Sequence, residues 1–196
     1  MLLLAVIGVG IAKGHLTERG KKLLESAEVV YGSKKAIELV REYIRGEAVI
    51  LKKFSEDVYR EIEEAGKKKN VAVLSTGDPM VSGLGLKLKA DVIESGISSV
   101  LVALSRIGVD LCDVVVVDCH ARKYEECIKE LKKVLNIRPA IVLVSRGFET
   151  EKLAEELDAD VLILENLCSE NERIRKGGVV ETSDTVLYVK RGRPVK

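Results

Sequence analysis

Asp78 stands in the turn Gly77-Asp78-Pro79, which follows the apolar run 71–74 after Ser75 and Thr76. Gly77 can adopt a positive φ without steric cost, so a buried strand is expected to end here in a tight turn. A carboxylate and backbone N–H groups at the carboxyl end of a strand are typical of ligand sites in open α/β sheets. The same residue types also begin helices, with Asp78 as N-cap and Pro79 in the first turn. The local pattern leaves both interpretations open.

His120 and Arg122 lie in the segment 118–122, which follows the apolar run 114–117. An imidazole at a strand edge can act as an acid or base, or donate a hydrogen bond. A guanidinium can hold a carboxylate through two parallel hydrogen bonds. A lone histidine more often satisfies a local hydrogen bond, but the position at a strand edge favours a functional role.

Two further segments place serines where helices are expected to begin. Ser33 is an expected N-cap, and the following Lys34 is either plain surface or a cation that suits an acidic ligand. Ser98 or Ser99 is an expected N-cap of a helix that starts near Val100. The free N–H groups and positive dipole end of such a helix can also receive a ligand carboxylate or hydroxyl. On local evidence alone, capping is the simpler interpretation.

The turn Gly8-Val9-Gly10 invites a dinucleotide-binding interpretation. The fingerprint needs a third glycine at the position of Lys13, so the motif is incomplete. No Cys-x-x-Cys pair is present and the two histidines lie far apart, which is not zinc-site spacing. We therefore expect no metal site. Four cysteines are expected to be reduced and mostly buried: Cys112, Cys119, Cys127 and Cys168.

Apolar runs rich in β-branched residues recur along the chain and are expected to form strands. These runs are 2–9, 29–31, 48–51, 71–74, 114–117, 140–144, 161–164 and 186–189. Most are continuous rather than alternating, which suits strands that are covered on both faces. Helical periodicity lies between them. The alternation predicts crossover units, so the fold class is α/β with mostly parallel sheets.

The segment 107–113 interrupts this pattern and is expected to be a hinge. It divides the chain into an N-terminal α/β domain, 1–110, and a C-terminal α/β domain, 111–196. Polar residues 177–184 precede the last apolar run, and we expect them to belong to a final antiparallel hairpin.

The composition argues against several classes of partner. The chain has 196 residues, a net charge of +1 and 4% aromatic residues without tryptophan. A duplex-binding protein needs a basic face and a single-strand binder needs aromatic platforms, so no nucleic-acid partner is expected. The apolar start lacks the basic region and cleavage site of a leader, and no stretch reaches the ~20 residues that span a bilayer. We expect a cytoplasmic protein without membrane contact.

Taken together, the motifs resemble the tetrapyrrole methylase family over almost the whole chain. The segments that carry the resemblance are Gly8-Val9-Gly10 with Leu16-Thr17, Val30-Tyr31-Gly32-Ser33-Lys34, Gly77-Asp78-Pro79, Gly96-Ile97-Ser98-Ser99, and Glu165-Asn166-Leu167 with Glu172-Arg173-Ile174. Segments 96–108 and 120–122 are similar, more narrowly, to the cobalt-precorrin-7 C5-methyltransferases of cobalamin biosynthesis. The family usually has Gly-x-Gly-Pro-Gly in its first turn, whereas Ile11 and Ala12 replace the proline and the second glycine here.

The resemblance implies an S-adenosylmethionine-dependent C-methyltransferase that forms a homodimer and holds its ligands in a cleft between two α/β domains. Carried over by motif, the implied cofactor contacts are Gly10, Asp78, Val81, Ser98, Ser99 and Ser145. The tetrapyrrole would lie near His120 and Arg122, with Lys34 as a further contact, because precorrins carry many carboxylate groups. His120 is the candidate base. Aerobic relatives often carry a second, C15-methylating and decarboxylating domain, so a separate enzyme of that kind is an expected functional partner.

Alternatives from the same and from other classes remain open. Within the family they are a methylase for another ring carbon and diphthine synthase, which is longer and acts on a protein. Outside it, a nicotinamide-dependent dehydrogenase would use the turn 8–10, against which Lys13 argues. A non-catalytic corrinoid or nucleotide-binding module is also compatible, because methyl transfer by alignment needs no catalytic triad.

Overall fold

The computed structural model of the chain describes residues 2–192. Contacts divide the chain between Ser98 and Ser99 into two compact units. The sequence predicts a boundary at 110/111, but the helix Ser99–Ile107 packs against the last strand, Thr185–Arg191, and therefore belongs to the second unit. The outer ends of the two predicted domains, residue 1 and residues 193–196, lie outside the described residues.

The first unit is a parallel sheet with helices on both faces. Its elements are β1 (Leu4–Gly8), α1 (Glu18–Glu25), β2 (Val29–Gly32), α2 (Lys34–Val40), β3 (Glu47–Ile50), α3 (Glu56–Gly66), β4 (Val71–Ser75) and β5 (Val92–Glu94). The strand order is β3-β2-β4-β1-β5, and each neighbouring pair is parallel. The four apolar runs of this half form β1 to β4 as predicted. The sequence prediction missed β5, which is only three residues long and ends in a charged residue.

Strand β1 is buried on both faces, which explains its uninterrupted apolar sequence. Ala5 and Ile7 pack into one core with α1 and α2, whereas Leu4 and Val6 pack into a second core with α3. Side chains alternate between the two faces of a strand, so both sets must be apolar. Ile62 of α3 is 1% exposed, and burying such a side chain stabilises the fold by about 1.5–3 kcal/mol.

No helix follows Asp78, so the helix-cap interpretation of this residue is wrong. Within the described residues, the connection from β4 to β5 consists of turns and bends. Pro79 O accepts a hydrogen bond from Gly85 N at 2.9 Å, and Ser82 has a φ of 52°. Glycines and a positive φ within a few residues of Pro79 favour a looped path over a helical one.

The second unit has a mixed sheet. Its elements are α4 (Ser99–Ile107), β6 (Val115–Asp118), α5 (Tyr124–Val134), β7 (Ala140–Val144), α6 (Thr150–Leu157), β8 (Ala159–Glu165), β9 (Arg173–Lys176) and β10 (Thr185–Arg191). The order is β6-β7-β10-β8-β9, with β6 and β7 parallel and the remaining neighbours antiparallel. The α/β class predicted from the sequence is confirmed.

The last strand is antiparallel, but it does not complete the predicted hairpin. Strand β10 pairs with β7 and β8, while β9 pairs with β8. The sequence prediction missed β9 because Arg173-Ile174-Arg175-Lys176 has a single apolar residue. Its arginines are held by Glu165 at the end of β8, through Arg173 Nε at 2.8 Å and Arg175 Nη2 at 3.2 Å.

Candidate functional site

The carboxyl ends of β4, β1 and β5 lie side by side in the first unit, and the Asp78 turn ties two of them together. Asp78 Oδ1 accepts a hydrogen bond from Met80 N at 2.7 Å, and Oδ2 accepts one from Gly96 N at 3.0 Å. The first bond closes the turn after β4, and the second holds the loop after β5. Asp78 therefore organises the strand ends rather than a helix.

Glycines allow these loops to approach closely. Gly10 and Gly77 exchange two backbone hydrogen bonds, at 3.1 and 2.8 Å, and both have a positive φ, of 72° and 73°. A Cβ on Gly96 would lie 2.2 Å from Gly77 O, and a Cβ on Gly8 would lie 2.5 Å from Gly96 N. Larger residues at positions 8 and 96 would force the loops apart.

Gly77 packs beside Ile11 and Ser98. A Cβ built on Gly77 would be in ordinary van der Waals contact with Ile11 Cγ2 at 3.8 Å and with Ser98 Cα at 3.9 Å. Ser98 is 3% exposed and directly precedes α4, whose first residue is Ser99. The structure of the first unit thus brings Gly10, Asp78 and Ser98 together around one small-residue turn.

The other predicted cofactor contacts are Val81, Ser99 and Ser145. Val81 N donates to Asp78 O at 3.1 Å, so the half-buried valine continues the Asp78 turn. Ser99 is half-buried at the start of α4. Ser145 follows β7 in the second unit and is exposed, and its carbonyl accepts a hydrogen bond from Phe148 N at 3.2 Å.

Glu94 is a buried carboxylate at this sheet edge that the sequence analysis did not single out. It is 8% exposed, and its Oε1 accepts a hydrogen bond from Thr17 Oγ1 at 2.7 Å. Thr17 is also the N-cap of α1, accepting from Gly20 N at 2.9 Å. Arg19 Nε lies 3.4 Å from Glu94 Oε2. No local pattern joins Thr17 to Glu94, because 77 positions separate them.

His15 packs against Gly10 in the same loop. A Cβ on Gly10 would lie 2.1 Å from His15 Cβ, so the ring occupies the side of Gly10 that a larger residue would fill. Its Nδ1 is buried and has no hydrogen-bond partner within residues 2–192. Burial lowers the pKa of this imidazole, which favours its neutral form.

His120 and Arg122 lie at the end of β6 in the second unit, as the sequence predicted. His120 N donates to Asp118 Oδ1 at 2.9 Å, and His120 Nδ1 lies 3.3 Å from the same oxygen. Arg122 Nη1 donates to Asp118 O at 2.9 Å and to Glu130 Oε2 at 2.8 Å. The hydrogen bond and charge of Glu130 raise the pKa of Arg122. Arg122 is thus already partnered, rather than free to clamp a carboxylate.

Lys34 occupies the first turn of α2. Ser33 caps this helix as predicted, accepting from Ala36 N at 3.1 Å. The Lys34 side chain is 77% exposed and lies 3.8 Å from Glu38. An exposed i,i+4 pair of this kind contributes a few tenths of a kcal/mol, so Lys34 can exchange Glu38 for another anion.

A charged network organises the loop between β8 and β9. Glu165 is fully buried, and it accepts hydrogen bonds from Arg173, Arg175 and Glu181 N. Burial acts to raise the pKa of Glu165, but the Glu181 N–H and the two guanidinium groups outweigh it and lower the pKa. Glu172 pairs with Arg106 of α4 at 2.6 Å, which lowers the pKa of Glu172.

Two further properties bear on the kind of site. Among residues 2–192, no cluster of three or more His, Cys, Asp or Glu side chains is arranged to hold a metal ion. Within the same residues, no helix has the length and apolar character required to cross a membrane.

Comparison with known proteins relates almost the whole chain to one family. Residues 3–182 match the sequence profile of the Tetrapyrrole (Corrin/Porphyrin) Methylases. A probable cobalt-precorrin-7 C(5)-methyltransferase of Methanocaldococcus jannaschii is 31% identical over 182 residues, which is 86% of each chain. A precorrin-6Y C(5,15)-methyltransferase [decarboxylating] of a Sinorhizobium species is 30% identical over 87% of this chain but only 44% of its own length.

Solved structures agree with this relationship. The precorrin-6Y methylase of cobalamin biosynthesis from Archaeoglobus fulgidus is 41% identical, with a TM-score of 0.84, and the match covers 98% of this chain and 100% of that one. Uroporphyrin-III C-methyl transferase of Thermus thermophilus, solved in complex with S-adenyl homocysteine, shares the fold at 20% identity. Its TM-score is 0.74, and the match covers 96% of this chain and 97% of that one.

Proposed function

Because this chain belongs to the tetrapyrrole methylase family, we propose that it methylates C5 of cobalt-precorrin-7 with S-adenosylmethionine as the methyl donor. Relatives named for C5 methylation cover most of the chain. The observation that carries the proposal is the Asp78 turn, which holds Gly96 and lies beside Ser98.

The residues of this turn fit S-adenosylmethionine chemically. A carboxylate has about four acceptor positions, so Asp78 can receive ligand groups in addition to Met80 N and Gly96 N. The buried serine Ser98, which lies beside Gly77, adds a hydroxyl. A ligand with a positive charge and ribose hydroxyls suits this set. Gly10, Val81, Ser99 and Ser145 are the remaining proposed cofactor contacts.

In the proposed reaction, the main task of the protein is to align the ring carbon with the methyl group. When bound, S-adenosylmethionine supplies a methyl group on a positively charged sulfur, so the methyl carbon is already electrophilic. Holding a ring carbon in line with such a group and excluding water can lower the barrier by several kcal/mol. His120 is the proposed acceptor of the proton that the methylated ring carbon loses. Lys34 is the proposed substrate contact, whereas Arg122, which the resemblance also implies near the tetrapyrrole, is engaged by Asp118 O and Glu130.

Calorimetric titration with S-adenosylhomocysteine, with NAD as control, tests the cofactor, and an anaerobic assay on cobalt-precorrin-7 tests the reaction. We expect binding of the first ligand alone and a product heavier by one methylene unit, with the label of a methyl-labelled donor at C5. Binding of NAD alone would overturn the proposal. The methyl label at another ring carbon would instead identify the chain as a different methylase of the same family.

The proposed quaternary structure and cellular location are those that the family resemblance implies. We propose a homodimer in the cytoplasm that works in sequence with a C15-methylating decarboxylase, since the Sinorhizobium relative is named for both activities. Sedimentation equilibrium of the purified chain checks the dimer, and a monomer at micromolar concentration would contradict it.

A further inference from the structure

The segment that carries His120 is held in a fixed conformation. Asp118 ends β6, and its Oδ1 accepts His120 N at 2.9 Å, which closes a tight turn. Ala121 has a φ of 53°, a conformation that costs a non-glycine residue about 1 kcal/mol or more. Such a backbone persists only where its surroundings determine it.

Arg122 and Cys119 supply those surroundings. Arg122 Nη1 bridges Asp118 O, at 2.9 Å, and Glu130 Oε2 of α5, at 2.8 Å, and so fastens the loop to the helix that follows it. Cys119 is 3% exposed and packs into the core of the second unit. The backbone on both sides of His120 is therefore anchored, one side in the core and the other on α5.

The anchored backbone places the two ring nitrogens of His120 in different surroundings. Nδ1 lies 3.3 Å from Asp118 Oδ1, and a carboxylate favours a proton on the nitrogen that faces it. Nε2 is then the nitrogen that carries a lone pair and can accept a proton. The His120 side chain is 36% exposed, so the ring is accessible from solvent.

We infer that Asp118 is a positioning residue for proton transfer: its carboxylate keeps the proton of neutral His120 on Nδ1, so that Nε2 accepts the proton released by the methylated ring carbon. This role rests on the proposed function. It adds a residue that the sequence analysis used only as the end of a strand. Arg122 has a supporting part, because it holds the Asp118 carbonyl rather than a substrate carboxylate.

Asp118→Ala tests the inference, because it removes the oxygen that faces the ring, whereas asparagine would keep an acceptor oxygen at the same place. The chain has two histidines, so long-range proton–nitrogen spectra of the full chain give two ring patterns, and His120→Gln assigns them. We expect the hydrogen on Nδ1 of His120 in the wild type and mainly on Nε2 in Asp118→Ala. Asp110→Ala is the matched control, since Asp110 Oδ1 accepts Cys112 N at 2.8 Å in a similar turn without a histidine.

Kinetics separate positioning from structure. In anaerobic turnover of cobalt-precorrin-7, we expect Asp118→Ala to lower kcat at least tenfold with little change in KM, and Asp110→Ala to leave both unchanged. An unchanged His120 tautomer or an unchanged kcat in Asp118→Ala, with an active wild type, overturns the inference alone. A wild type that shows the expected tautomer but methylates no tetrapyrrole overturns the proposed function, and the role of His120 as base falls with it.

Discussion

At the scale of single residues, Asp78 has a structural and a proposed binding role through the same carboxylate. Its two oxygens each accept one backbone N–H, from Met80 and from Gly96. An asparagine can retain only one of these bonds, because its amide nitrogen is a donor facing another donor. The loop after β5 is the part that such a change releases.

Asp78→Asn is expected to weaken S-adenosylhomocysteine binding at least tenfold, which corresponds to about 1.4 kcal/mol. The free energy of unfolding should fall by about 1–2 kcal/mol, because one charge-assisted hydrogen bond is lost at a half-buried position. Calorimetry and urea unfolding measure the two quantities. Asp110→Ala loses a similar turn bond and should lower stability alone. Lower stability with full affinity in Asp78→Asn would leave Asp78 a purely structural role.

At the scale of elements, the site of the first unit depends on three strand ends that touch through glycines. Strand order β4-β1-β5 makes the loops after these strands neighbours. Gly8, Gly77 and Gly96 let their backbones come into contact, and the partly buried Thr17–Glu94 hydrogen bond fixes the start of α1 to the end of β5. Helix α1 and the loops after β1, β4 and β5 are therefore positioned together.

Gly96→Ala tests this contact between loops. Its Cβ would lie 2.2 Å from Gly77 O, a backbone atom that cannot rotate away, so we expect a loss of about 1–3 kcal/mol in unfolding free energy and weaker S-adenosylhomocysteine binding. Gly66→Ala is the control, because its Cβ would meet only Leu4 Cβ at 3.2 Å at the end of α3, where alanine favours the helix. Equal urea midpoints for the two variants would contradict the close approach of the loops.

At the scale of the whole molecule, buried and half-buried ionisable groups in both units make stability depend on pH. Burial lowers the pKa of His15 in the first unit. In the second unit, hydrogen bonds and guanidinium groups lower the pKa values of Glu165 and Glu172. A lowered pKa means that the unfolded chain binds the proton first, so each group makes the fold less stable as pH falls.

The folded state is therefore expected to lose stability in two pH ranges. The free energy of unfolding should fall below about pH 6.5, the unfolded pKa of histidine, through the folded pKa of His15, and again below about pH 4.3 through the two glutamates. Urea unfolding between about pH 7 and pH 5 isolates the first window. His15→Gln should reduce the fall in the free energy of unfolding across this first pH range. His120→Gln makes the same change at the other histidine and is the matched control. A slope that survives in His15→Gln would assign the first window to other groups.

Much of the fold was predictable because its signals are local. All eight apolar runs lie on strands, two of them, 48–51 and 114–117, shifted by one residue, and Ser33 was identified as a cap from its position before a helix. Strands β5 and β9 were missed, since neither has the apolar content by which a strand is recognised. The family, identified from motifs of a few residues each, is confirmed by the match of residues 3–182.

The sequence by itself determined the α/β class, the family and the turns that carry Asp78 and His120, because strand periodicity and glycine-containing turns depend on neighbours in the chain. Only the tertiary structure decided what the side chains contact. Asp78 holds Gly96 across 18 positions, and Thr17 meets Glu94 across 77. Arg122 is engaged by Glu130, and Asp118 faces the ring of His120. The first two contacts depend on strand order and on the distance between loops, which no local pattern of residues encodes. The other two join residues eight and two positions apart and depend on the conformation of the loop after β6.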